Sequence, residues 1–152
     1  MYLNLLTVHS LFRWCVLISI ITLLIRSFYA LKINAYYTVY DKVIREITIT
    51  ILHIQMLLGL WLYFISPFVN QFFSNMSDGI HIREERFFSI EHSLMMIIAV
   101  VIATIGASKS KRRIDPKKKH KTIVTWFTLA LFIILLNIPW EFSPLVNRPS
   151  FR

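Results

Sequence analysis

The chain has 152 residues, of which 56% are hydrophobic and only 16% charged, with a mean hydropathy of +0.59. A soluble domain carries about 25% charged residues, so this composition excludes an ordinary water-soluble domain and indicates a membrane protein whose charges sit in loops. The formal net charge of +9 fits the same reading, because basic residues mark the cytoplasmic side of a membrane protein; no nucleic-acid partner is expected.

The predicted fold class is an all-α membrane protein. It is a single four-helix transmembrane domain over residues 1–152, with spans at about 5–25, 47–65, 87–107 and 122–140. Each segment approaches the ~20 apolar residues needed to cross a ~30 Å hydrocarbon core. In lipid the backbone must satisfy its own hydrogen bonds, so the spans are helices rather than strands. The first carries His9, Arg13 and the lone Cys15, read as a small buried hydrophobe. It lacks a basic start and a small-residue cleavage site, so it is expected to stay in the membrane. The first connector leans basic through Arg26, Lys32, Lys42 and Arg45, and a helical extension along the interface is one reading of it. The second span carries His53 and Gln55, which point to different faces, and it ends at Ser66-Pro67. The second connector is mixed, with Asp78, Glu84 and Glu85 against Arg83 and Arg86.

The third span opens on Glu91 and His92. It leads into Lys109–Lys121, a strongly basic stretch expected to be a cytoplasmic loop. The fourth span carries Asn137 and ends at Pro139. With four spans the basic connectors share one side, which places both termini in the periplasm and the protein in the bacterial inner (cytoplasmic) membrane. His81 and His120 are expected to be solvated loop residues. Trp61, Phe64, Phe87, Phe88, Trp126, Trp140 and Phe142 are expected to mark the interfaces.

Polar side chains inside spans are costly, and each needs a reason. At about 1.5 Å per residue, His9 lies about 8 Å inside the first span and His92 about 5–9 Å inside the third, from the same side. His53 lies near the opposite end. Two imidazoles at one level on different helices can ligate a b-type haem axially, so His9 and His92 are the candidate metal ligands. Adjacent residues on a helix point about 100° apart, so the acceptor for an imidazole N–H is expected to be a backbone carbonyl rather than Glu91. His92, Met96, Ala99, Ala103 and Gly106 share one face, which reads either as room for a macrocycle or as ordinary close helix packing. Arg13, one turn below His9, is the third candidate cofactor-binding residue. It pairs with Glu91 or Glu141, compensates an anionic cofactor group, or snorkels, and it is expected to matter more than Arg26 at the interface. His53 is either a proton or quinone contact or a satisfied histidine. Asn137 is expected to satisfy backbone groups freed by Pro139. The sequence has no phosphate-binding loop, Cys-x-x-Cys pair, zinc motif or nucleophile elbow, and no catalytic residue is assigned.

The strings His9-Ser-Leu-Phe-Arg-Trp14, His53-Ile-Gln-Met-Leu-Leu-Gly-Leu60, Arg86-Phe-Phe-Ser-Ile-Glu-His92, Gly106-Ala-Ser-Lys-Ser-Lys111 and Ile138-Pro-Trp140 together resemble a family of small four-helix membrane proteins of Bacteroidetes. That family is loosely similar to cytochrome-b-like and copper-resistance-D-like bundles. The resemblance spans nearly the whole chain. It implies the fold and an inner-membrane location, and it leans toward haem. Two functions remain open. One is a haem-b electron carrier exchanging with quinone. The other is a cofactor-free accessory subunit of a larger inner-membrane respiratory or secretion complex. A carrier or proton path through Glu91, His53 and Arg13 is disfavoured, because four helices without a repeat do not suit a transporter.

The topology is open to direct measurement. Reporter fusions should place a junction at Arg152 in the periplasm and one near Pro116 in the cytoplasm; a junction at Arg152 active only in the cytoplasm overturns it.

Overall fold

The computed structural model describes residues 1–140; Glu141, Phe142 and Arg152 lie outside them. Helix α1 spans Tyr2–Lys32, α2 Val39–Ile65, α3 Pro67–Ser74, α4 Met76–Gly79, α5 Arg83–Arg86, α6 His92–Arg112 and α7 Pro116–Asn137, with a π-helical turn at Phe87–Glu91 joining α5 to α6. Four helices, α1, α2, the continuous Arg83–Arg112 stretch and α7, are long and apolar enough to cross a membrane. α1 packs on α2 and α7, and α6 packs on the same two. The order around the bundle is therefore α1–α2–α6–α7, and α1 stands diagonally opposite α6.

Local sequence sets the ends. α1 contains neither glycine nor proline and runs 31 residues. It stops where Asn34 takes a left-handed conformation (φ 50°), which asparagine tolerates better than most side chains. The amide of Ala35 then reaches back to the Ala30 carbonyl at 2.9 Å, satisfying a carbonyl left open at the helix end. α2 opens on a reciprocal cap. The Thr38 hydroxyl accepts from the Asp41 amide, and the Asp41 carboxylate accepts from the Thr38 amide. The same carboxylate takes Arg26 of α1 in a two-point ion pair, Nε–Oδ1 2.7 Å and Nη2–Oδ2 3.3 Å. Asp41 is only 2% exposed, so Arg26 is not a free interfacial cation; it locks the α1–α2 corner.

The core is built from Ile20, Leu23, Ala99, Ala103, Ile123 and Phe127, all essentially buried. Outside it the surface stays apolar: Phe64 is 75% exposed and Phe132 60%. So continuous an exposed apolar surface would be costly in water. Cys15 is exposed on this exterior rather than buried. The small-residue face of α6 turns out to serve packing. A Cβ on Gly106 would lie 2.3 Å from Cβ of Trp126, so α7 approaches α6 because that position has no side chain. Lys109 then lays its ammonium 4.4 Å over the Trp126 ring.

Two connectors depart from the sequence reading. The stretch 67–86 is largely helical and folds back on the bundle, burying Val69, Phe72 and Glu85. Phe87 is also buried, packed edge-on at 5.1 Å against Phe88 rather than marking an interface. The expected basic loop shrinks to residues 113–115, because α6 runs on to Arg112 and α7 starts at Pro116. Proline at the first helical position and the Asp115 side chain accepting from the Lys117 amide at 2.9 Å account for that early start. His120 is consequently a helical residue, fully buried, its ring 5.0 Å from that of Tyr37.

Gly106→Ala should destabilise the α6–α7 pair by roughly 1–3 kcal/mol through overpacking. Arg26→Leu strands a buried carboxylate and should cost more, about 3–5 kcal/mol. Thermal unfolding in detergent reads both, and a Gly106→Ala protein as stable as the parent contradicts the packing argument.

Candidate functional site

His92 owes its position to the π-turn before it. The His92 amide donates to the Phe87 carbonyl five residues back, and such a turn adds one residue to the helix and frees carbonyls from the regular ladder. The Ser89 carbonyl is one that finds other donors, the Tyr63 hydroxyl of α2 at 3.1 Å and the Ser93 hydroxyl at 3.2 Å. Just outside, Glu91 is held by Arg86 at 2.8 Å. Of the carboxylates offered as partners for Arg13, Glu91 is thus engaged by Arg86 within its own helical stretch, and Glu141 lies outside the described residues.

The imidazole of His92 lies 2.8 Å, through Nδ1, from the carbonyl oxygen of Asn137 at the end of α7. A carbonyl only accepts, so Nδ1 carries the proton and Nε2 keeps its lone pair. This is the backbone acceptor the sequence reading anticipated. Asn137 contributes through its main chain; its side-chain amide donates to Ile133 at 2.8 Å. The carbonyl that Pro139 cannot satisfy, that of Leu135, receives the Trp140 indole N–H at 3.0 Å. Trp140, not Asn137, thus compensates for the proline.

His9 faces the same space from α1. Gln55 of α2 donates its amide NH2 to the His9 carbonyl at 3.0 Å, and the same nitrogen lies 3.3 Å from His9 Nε2. The carbonyl fixes which end of the amide is the donor, which makes His9 Nε2 an acceptor and puts its proton on Nδ1. His9 Nδ1 and Gln55 Oε1 are both buried without a hydrogen-bond partner among the described residues. Gly59, one turn beyond Gln55, makes room for the ring: a Cβ there would stand 3.2 Å from His9 Cε1. Arg13 lies one turn deeper, its guanidinium 5.5 Å from the Trp14 ring and 5.9 Å from the Trp140 ring.

His9, Arg13, Gln55, Met56, His92 and Met96 all line one cavity of about 180 Å³, with otherwise mostly apolar walls that include Val69 and Phe88. The structure thus brings His9, His92 and Arg13 to one place, with the two imidazoles on diagonally opposed helices. His53 does not line this cavity. Its Nε2 lies 3.0 Å from the Thr104 hydroxyl, which spends its own proton on the Val100 carbonyl; His53 is a satisfied histidine. Ala99, Ala103 and Gly106 do not line the cavity either. Sequence reasoning missed Gln55 and Gly59 as parts of the site. Their i, i+4 spacing on α2 was the available signal, since it puts the amide and the gap on one face.

A bis-histidine haem can be tested against these residues. Position and type fit: two imidazoles across the bundle, a cation beside them and apolar walls. His92 presents a free Nε2 held in the right tautomer by a carbonyl, as metal-ligating histidines usually are. His9 fits once Gln55 releases its Nε2. The open space is below the roughly 300–1,000 Å³ of sites for drug-sized ligands, so a tetrapyrrole also requires lining side chains such as Gln55 and Met96 to swing aside. Among the described residues no group of three or more His, Cys, Asp or Glu could hold a bare metal ion. The chain matches no protein-family model, no curated protein and no solved structure.

The tautomer is measurable. Nitrogen-15 spectra of histidine-labelled protein should show His92 protonated at Nδ1 and unprotonated at Nε2. The reverse pattern would mean that the Asn137 carbonyl does not hold the ring.

Proposed function

We propose that the protein is a multi-pass inner-membrane electron carrier that holds haem b between α1 and α6. The observation that carries this reading is the placement of His9 and His92 on diagonal helices at one cavity, with His92 already oriented by the Asn137 carbonyl. His92 and His9 would hold the haem iron through Nε2. Arg13 would supply positive charge to the acidic edge of the group, with its cost in an apolar setting lowered by the two indole faces. Haem supplies reversible one-electron transfer when bound. The chain's part is to position two neutral imidazoles, exclude water and balance charge. The apolar exterior supports membrane insertion, and the excess of Lys and Arg at the α1–α2 and α6–α7 corners supports placing that end in the cytoplasm.

A second reading has its own support. His9 Nδ1–H is a buried donor, and His92 Nε2 is an acceptor in the same small cavity. A single quinone ring in its reduced quinol form suits that pair without any displacement of Gln55: one hydroxyl oxygen accepts from His9 Nδ1–H, and the opposite O–H donates to His92 Nε2. In that case the protein is a colourless quinone-binding subunit of a larger respiratory assembly.

Purified protein from haem-replete cells should show a Soret band that shifts on reduction. His9→Ala and His92→Ala should each abolish it, and His53→Ala should leave it intact. Gln55→Leu, by freeing His9 Nε2, should keep or raise haem occupancy. A colourless wild-type protein ends the haem reading. Quinone co-purifying at about one per chain, and lost in Gln55→Leu, would establish the other.

A further inference from the structure

At the opposite end of the bundle a second cavity, about 630 Å³, opens between the α1–α2 corner and the α6–α7 corner. Four cations line it, Lys42, Arg45, Lys111 and Lys119, against a single carboxylate, Glu46. Glu46 already holds two of these cations: Arg45 Nη2 lies 2.6 Å away and Lys111 Nζ 3.0 Å away on the same oxygen. The neighbouring carboxylate, Asp41, is taken by Arg26. The local excess is therefore three positive charges, from four cations and one acid, gathered in one concave site.

One of these cations is not a surface residue. Arg45 is 2% exposed, and its Nε has no hydrogen-bond partner among the described residues. A buried guanidinium N–H without an acceptor is expensive, and an anionic oxygen is the group that relieves it best. The ring of Tyr37 floors the site, with the Lys119 ammonium 5.0 Å and the Arg45 guanidinium 5.8 Å from its centre. Burial pushes the Tyr37 phenol up, so it remains a neutral hydroxyl, able to donate, at physiological pH. One arginine, three lysines and a hydroxyl around one hollow make a phosphate-binding set.

We propose that this hollow binds the phosphate of an anionic membrane phospholipid, a phosphatidylglycerol-type headgroup, in the leaflet on the basic side of the bundle. The source is argued from position. Lys42, Arg45 and Glu46 lie within the first two turns or so of α2, Lys111 at the last turn of α6, and Lys119 at the first turn of α7. That is the level where spanning helices leave the hydrocarbon, and basic pockets between such helices take anionic headgroups. The site is independent of the His9–His92 cavity and asks only that the chain span a bilayer.

The experiment compares lipid retention. Delipidated protein in detergent is offered phosphatidylglycerol, phosphatidylcholine or inorganic phosphate, and bound lipid is counted by native mass spectrometry alongside thermal stability. Phosphatidylglycerol should be retained at about one per chain and raise the unfolding temperature, and phosphatidylcholine should do neither. Lys42→Gln and Lys119→Gln, which leave the Arg45–Glu46 pair intact, should each weaken retention about fivefold. Lys117→Gln with Lys118→Gln, outside the hollow, should leave it unchanged. Equal retention of the two lipids overturns the site, as does equal weakening by the outside pair. Stabilisation by inorganic phosphate equal to that by phosphatidylglycerol overturns the lipid assignment. Insertion of the wild type into vesicles, checked separately by flotation, keeps failure of the membrane reading distinct from failure of this one.

Discussion

The bond between His92 and the Asn137 carbonyl joins the start of α6 to the end of α7 and sets the chemistry of the cavity. It satisfies a main-chain acceptor at a helix end, where α7's own ladder has run out. It also decides which nitrogen of His92 faces inward. Pro139 makes the arrangement possible by stopping the helix, and Trp140 makes it tolerable by covering the carbonyl that the proline leaves open. Three neighbouring residues thus carry out one task, ending a helix inside an apolar region without leaving its backbone groups bare.

The spans were legible in the sequence because they depend on composition alone, and the bilayer's thickness supplies the ruler. The shared level of His9 and His92 was legible for a similar reason, since axial rise per residue is a constant. Helix ends were less so. Lys109–Lys121 reads as a loop by charge, yet Asp115-Pro116 is a helix start by cap chemistry, and the cap decides. The same is true of Thr38-x-x-Asp41, whose signature was present and whose second role, holding Arg26, needed the fold. The small face of α6 could not be assigned from one helix, because a row of alanines records only that something comes close. At Gly106 that something is α7, through Trp126. The engagement of His9 by Gln55 depends on how α1 and α2 are rotated against each other, which no local pattern encodes.

The two ends of the bundle solve opposite electrostatic problems. Among the described residues lining the His9–His92 cavity, polar groups are few, and the cation Arg13 lies near two indole faces. At the other end, charge is concentrated: Asp41 ties α1 to α2 by accepting Arg26, and Glu46 ties α2 to α6 by accepting Arg45 and Lys111. The first arrangement leaves a hollow with mostly apolar walls, and the second leaves one with unspent positive charge.

The π-helical turn at Phe87–Glu91 has a consequence for how this chain can change over generations. A π-turn is a single-residue excess absorbed inside a helix, so everything on one side of it is out of phase with the other by about 100°. Loss of any one residue there would let the helix close into a uniform coil. The outer segment with Arg86 would then turn relative to the half that bears His92, and the Tyr63 tether to Ser89 would have no matching carbonyl. The histidine's heading and the tether from α2 to the π-turn are thus tied to one count of residues. That stretch should tolerate exchange of side chains far better than a change in length.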